Sequence, residues 1–233
     1  MMEIIRGEHM VKSFGEGLEK RKVLDDISIT IDEGEFVSIM GPSGSGKSTL
    51  FYALSGMDHI DSGKVFFNQM NLAEVSDEEQ SEIRRREMGF IFQQPTMLKN
   101  LNILDNIILP AVRDKRVPIE KIIAKAKALM EKTGIRMLAD RDITQVSGGQ
   151  LQRAGICRAL INEPKIIFGD EPTGALNSKA AQEIMDILTA INQEGTTVML
   201  VTHDPKVAAR TERILFMKDG KLVSELQLPK YNY

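Results

Sequence analysis

Short apolar runs punctuate the chain, and each closes in a polar turn. Phe36–Met40 is apolar but for Ser38 and runs straight into Gly41. Residues 89–93, 165–168 and 197–201 have the same character, and 64–68 follow the turn Asp61-Ser62-Gly63. Runs of this kind, bounded by turn residues, read as strands buried on both faces. Residues 23–31 alternate imperfectly and stop at Asp32-Glu33-Gly34. Between strands the spacing turns helical. Ile122, Ile123, Ala126, Leu129 and Met130 share one face of a helix over 119–132, and Gly134 ends it. Residues 74–86 are charged and helix-prone, 149–161 form a helix that ends before Pro164, and 180–192 form another. Asp219-Gly220 between the apolar stretches 213–217 and 221–226 is a hairpin signal. Strands alternating with helices predict an α/β fold with a mainly parallel sheet covered on both faces. The helical stretch 96–159 reads as an insertion into it.

Composition sharpens this picture in three ways. The chain has 233 residues, enough for one large domain or a core with a subdomain. A net charge of -3 argues against nucleic acid as a partner, because phosphate backbones require a basic surface. The single cysteine, Cys157, excludes an internal disulfide and is expected to be a buried, reduced thiol. The charged first residues carry no secretory signal, and no run approaches the ~20 apolar residues that span a bilayer. If the protein works at a membrane, another chain supplies the spans.

The chemistry gathers where strands end. Gly41-Pro42-Ser43-Gly44-Ser45-Gly46-Lys47-Ser48, followed by Thr49, lies between a strand and a helix, the context of a phosphate-binding P-loop. Its glycines let successive N–H groups point into one concavity, Lys47 reaches the β- and γ-phosphates, and the Ser48 hydroxyl suits Mg²⁺. Two further strands end in Gly169-Asp170-Glu171 and Thr202-His203-Asp204. Ligands of open α/β sheets bind outside such carboxyl ends. Asp170 is expected to face Mg²⁺, and Glu171, set apart by strand alternation, to activate water. His203 is expected to sense the γ-phosphate or handle a proton. His9 and His59 read as ordinary surface residues. Ser147-Gly148-Gly149-Gln150 opens a helix with an N-cap and two glycines, a second anion site.

Together these residues resemble the ATP-binding subunits of ABC transporters over essentially the whole chain. The loop at 41–48 resembles Walker A, Ile166-Ile167-Phe168-Gly169-Asp170-Glu171 resembles Walker B, and Ser147-Gly148-Gly149-Gln150 resembles the family signature. Gln93 and His203 stand where the family has its Q-loop glutamine and switch histidine. The resemblance implies a P-loop NTPase core (1–93 and 160–233) with N-terminal antiparallel strands and a helical subdomain over about 94–159. It implies ATP and Mg²⁺ as cofactors, with Gln93 touching the metal and the attacking water. It implies a head-to-tail dimer in which Ser147, Gly148, Gly149 and Gln150 serve the partner's nucleotide. Phe14 is the candidate for stacking on adenine, with a core phenylalanine as the alternative.

Two positions depart from the family pattern: Val146 replaces a leucine, and Asn177 an aspartate. The latter loss of charge bears on communication across the dimer seam. The run Gly174-Ala175-Leu176-Asn177-Ser178 is most like the ATPases of bacitracin-type peptide-antibiotic resistance and sensing. The run 84–93 looks like the macrolide-exporter, lipoprotein-release and cell-division branch. The implied partners are a transmembrane permease, at the cytoplasmic face of the membrane, and a sensor kinase reached through it. The alternative is a regulatory ATPase that does mechanical work without moving a solute.

Overall fold

The computed structural model describes residues 2–228. Strands β1 (Glu3–Phe14) and β2 (Arg21–Asp32) form an antiparallel ribbon. β1 escapes a period-two reading because register shifts interrupt it and His9 sits at φ 48°. Next come β3 (Phe36–Met40), α1 (Lys47–Leu54), β4 (Ser62–Phe67) and β5 (Met70–Asn71). They are followed by α2 (Asp77–Glu87) and β6 (Met88–Phe92). Helix α2 starts three residues later than the charge pattern suggests. Ser76 and Glu79 close a capping box at Asp77, while Leu72–Glu74 form a separate 3-10 turn.

The middle of the chain is less uniformly helical than its composition implies. It holds α3 (Ile103–Ile108), α4 (Ile119–Lys132) and α5 (Gly148–Leu160), joined by turns and loops. The remaining elements are β7 (Ile166–Asp170), α6 (Ser178–Gln193), β8 (Thr197–Thr202) and α7 (Pro205–Ala208). The hairpin β9 (Arg213–Lys218) and β10 (Lys221–Gln227) turns through Asp219 and Gly220, both at positive φ as its Asp-Gly signal requires.

Two sheets result. One is antiparallel in the order β2-β1-β4-β5; the other runs β10-β9-β3-β8-β7-β6 and is parallel except for the β9–β10 hairpin. Strand alternation divides the core. Val37, Ile39, Ile166, Phe168, Met199 and Val201 face α1 and the antiparallel sheet. Phe36, Ile167, Val198 and Leu200 face α6 with Ile184, Met185 and Leu188. A third cluster, from Met97 to Ile161, gives α3, α4 and α5 a core of their own. Helix α5 belongs to two clusters: Ala154 and Cys157 face that helical core, while Ile156 and Ala159 face the sheet.

Candidate ATP site

The loop after β3 is shaped by close approach. A Cβ on Gly41 would come within 2.1 Å of the Met217 carbonyl, and one on Gly46 (φ 100°) within 2.5 Å of the Val23 carbonyl. Only glycine lets the loop lie this close to β2 and β9. The loop forms one wall of a cleft of about 920 Å³, with Pro42, Ser43, Gly44 and Gly46–Thr49 lining it. Glu171, Val201, His203, Phe14 and the Asp219–Gly220 turn complete that lining with Arg21, Lys22 and Val23.

The sequence predicts Gly41 and Ser45 as nucleotide contacts and Asp170 as a metal contact, yet none of the three lines the cleft. Gly41 turns the chain and lends its carbonyl to Lys47. Ser45 donates its N–H to the Pro42 carbonyl at 3.2 Å, and its buried Oγ has no hydrogen-bond partner.

Lys47 is 8% exposed and folds back over the loop, donating from Nζ to the Gly41 and Pro42 carbonyls at 2.8 and 2.9 Å. Burial lowers the affinity of its amine for a proton, opposed by Glu171 and Asp170. Asp170 moves the other way. Burial, then the neighbouring Glu171 carboxylate, raises its pKa, while Lys47 and a hydrogen bond with Ser48 oppose the rise. That bond brings together a hydroxyl and a carboxylate, hard oxygen donors that suit Mg²⁺.

Glu171 differs from the sequence reading in its physical origin. Strand β7 ends at Asp170, and Glu171 adopts φ 48°. A left-handed turn, rather than strand alternation, separates the two carboxylates. Such a conformation costs a non-glycine residue about 1 kcal/mol or more. It is fixed by bonds from the Glu171 N–H to the Val201 carbonyl (2.9 Å) and from the Gly174 N–H to the Glu171 carbonyl (3.0 Å). Oε1 of Glu171 lies 2.7 Å from Nδ1 of His203, and Oε2 accepts from the Thr202 hydroxyl at 3.3 Å. Thr202 stands beside His203 in the sequence, but no local spacing shows that its hydroxyl reaches Glu171.

Phe14 is 48% exposed, lines the cleft and has Lys12 Nζ 5.2 Å from its ring centroid, so the core alternative does not hold. Arg21, its cross-strand partner on β2, also lines the cleft and carries no sequence signal of its own. Gln93 follows β6 outside the lining; its side chain lies on Gly174, where an added Cβ would come 2.9 Å from Nε2.

Ser147, Gly148, Gly149 and Gln150 are also absent from this cleft. They begin α5, with Ser147 Oγ accepting from the Gln150 N–H (3.3 Å) and Gln150 Oε1 from the Ser147 N–H (2.8 Å). Val146 packs against the helical core, so an apolar side chain satisfies that position. Asn177 caps α6, its Oδ1 accepting from the Ala180 N–H at 2.9 Å; the start of this helix does not need an aspartate. His9 and His59 are exposed, His9 beside Asp26 at 2.7 Å. Cys157 is buried against the Thr133 hydroxyl, and burial pushes its thiol up to about 11.

Comparison with known proteins adds to this geometry. Residues 24–174 match the family model described as ABC transporter. The bacitracin export ATP-binding protein BceA of Halalkalibacterium halodurans is 40% identical over 97% of the chain and 89% of that protein. The macrolide export ATP-binding/permease protein MacB of Aggregatibacter actinomycetemcomitans is 40% identical over 97% of the chain, which spans 35% of that longer protein. A dimeric, post-hydrolysis ATP-binding cassette bound to ADP and Pi, MJ0796, superposes with a TM-score of 0.90 at 38% identity. The match covers 98% of this chain and all (100%) of that one.

Proposed function

The chain belongs to the ABC transporter family as an ATP-hydrolysing subunit that powers a separate permease, and on that premise we propose how its cleft works and what it serves. The observation that carries the mechanism is the left-handed turn at Glu171. It sets a carboxylate, already partnered by His203 and Thr202, opposite Lys47 across one cleft.

ATP binds with its phosphates along 43–49 and its base against Phe14. Lys47 exchanges two backbone carbonyls for phosphate oxygens, an exchange of neutral acceptors for charged ones that favours the nucleotide. Ser48 and Asp170 would hold Mg²⁺, with Gln93 as a further oxygen ligand, and the ion would neutralise charge on the phosphates. Glu171 accepts a proton from the attacking water, and His203 orients that carboxylate and approaches the γ-phosphate.

Ser147, Gly148, Gly149 and Gln150 act on the nucleotide of a second copy, in a head-to-tail dimer. Their position outside the chain's own cleft supports this reading. The helical unit, about 94–159, transmits closure to a permease at the cytoplasmic face of the membrane; no helix of the described residues is long and apolar enough to cross one. The names of the relatives favour export over the regulatory alternative. With the run Gly174-Ala175-Leu176-Asn177-Ser178, they support peptide antibiotics as what the complex handles, with a sensor kinase as an indirect partner.

The test of the mechanism is Glu171→Gln. ATP binding should persist, hydrolysis should fall at least about 100-fold, and a dimer should accumulate with ATP. Turnover at the wild-type rate would remove Glu171 as the base. For the cargo, deleting the gene should sensitise cells to peptide antibiotics, and unchanged sensitivity would sink that assignment.

A further inference from the structure

One stripe of α5 holds the segment that carries Gln93. Gln152 donates from Nε2 to the Phe92 carbonyl at 3.0 Å. Gly155, one turn on, lies under Pro95, which would meet a Cβ there at 3.4 Å. Arg158 donates to the Thr96 carbonyl at 2.5 Å. Positions 152, 155 and 158 fall on one helical face. The helix that begins with Ser147 is therefore fastened to the segment around Gln93 by two bonds to backbone carbonyls and by packing against the Pro95 ring. The contact continues inward, because Gln93 rests on Gly174, whose N–H bonds the Glu171 carbonyl.

Gln152 is the costly member of the stripe. It is 1% exposed, and its Oε1 is a buried acceptor with no partner. An orphaned buried acceptor destabilises a fold, and an apolar side chain of similar shape removes that penalty but also takes the donor away from the Phe92 carbonyl. What the amide supplies in return is that bond to the backbone immediately before Gln93.

We propose that Gln152 is a positioning residue that couples the two ATP sites of the dimer, by tying the signature end of α5 to the Gln93 segment. This rests on the reading above, that Ser147–Gly149 grip the partner's nucleotide while Gln93 serves the chain's own. Under that arrangement α5 joins two different nucleotides. Its engagement by one, transmitted through the Gln152 bond to the Phe92 carbonyl, sets Gln93 over the other.

The test compares wild type, Gln152→Met and Gln152→Leu by thermal unfolding and by ATPase rate against ATP concentration, with Ser147→Arg as a control. The wild type should show a Hill coefficient above 1, up to about 2 for two coupled sites. Gln152→Met should stay folded with a melting temperature within about 4 °C of the wild type, since losing the bond to Phe92 and removing the orphaned acceptor oppose each other. Its Hill coefficient should fall to about 1 and its kcat about tenfold, with ATP binding to the monomer unchanged.

A wild-type coefficient of 1, or an unchanged coefficient and kcat in Gln152→Met, overturns the proposal. So does loss of the folded state in both variants, which makes Gln152 merely structural. Failure of the underlying reading looks different: Ser147→Arg would then hydrolyse ATP normally or lose monomer binding. If Ser147→Arg blocks hydrolysis while Gln152→Met behaves as wild type, only the coupling proposal fails.

Discussion

At the residue scale the cleft trades stability for chemistry. Asp170 is desolvated and sits beside a second carboxylate, so its pKa is raised. The folded chain then holds that proton more tightly than the unfolded chain, and this group's contribution to stability falls as pH rises from the ordinary value of 3.8. Near neutrality the nucleotide-free fold bears a carboxylate that Lys47 and Ser48 compensate only in part. Asp170→Asn should therefore raise the melting temperature without nucleotide, by about 2 °C, while abolishing Mg²⁺-dependent hydrolysis. Differential scanning calorimetry beside an ATPase assay checks both halves; a lower melting temperature would show that Lys47 and Ser48 already compensate the charge.

At the element scale the phosphate loop is a joint between three strands. Gly46 lies under the Val23 carbonyl of β2 and the Met217 side chain of β9. In Gly46→Ala the new Cβ meets the Val23 carbonyl at a left-handed φ, and that backbone cannot yield cheaply even where the Met217 side chain can. A loss of roughly 2 kcal/mol, or about 5 °C in melting temperature, is expected together with loss of ATP binding. Measuring nucleotide affinity and unfolding on the same sample separates the two effects. Wild-type affinity in that variant would mean the loop re-forms away from β2. The charged helix α2 illustrates the opposite case. Its capping box at Ser76 fixes its start locally, independently of what packs on it.

At the scale of the whole molecule, the proposed binding residues fall into two groups that one chain does not bring together. The loop 41–49, Glu171 and His203 share a cleft, and the signature lies elsewhere at the start of α5. Ser147→Arg should bind ATP as a monomer with wild-type affinity, yet form no ATP-dependent dimer and hydrolyse nothing. Analytical ultracentrifugation with and without ATP checks the association. A variant that still dimerises and turns over would place the signature outside the reaction.

The sequence by itself determined the strand–loop–helix around Lys47, the buried parallel strands, the hairpin at Asp219-Gly220 and the set of charged residues at strand ends. These are local properties, written in short-range spacing and in the conformational limits of glycine. The tertiary structure alone decided that β1 exists, since its bulged, half-exposed register pairs only when β2 and β4 are in place. It also decided that Phe14 and Arg21 face the cleft, that Thr202 reaches Glu171, and that Gly41 and Ser45 stand behind the wall. It turned Glu171 by a left-handed backbone instead of a strand pleat, because the bonds holding that turn come from β8 and from Gly174. Contacts between distant segments have no local signature, so they emerge only when the two sheets and the helical unit are packed together.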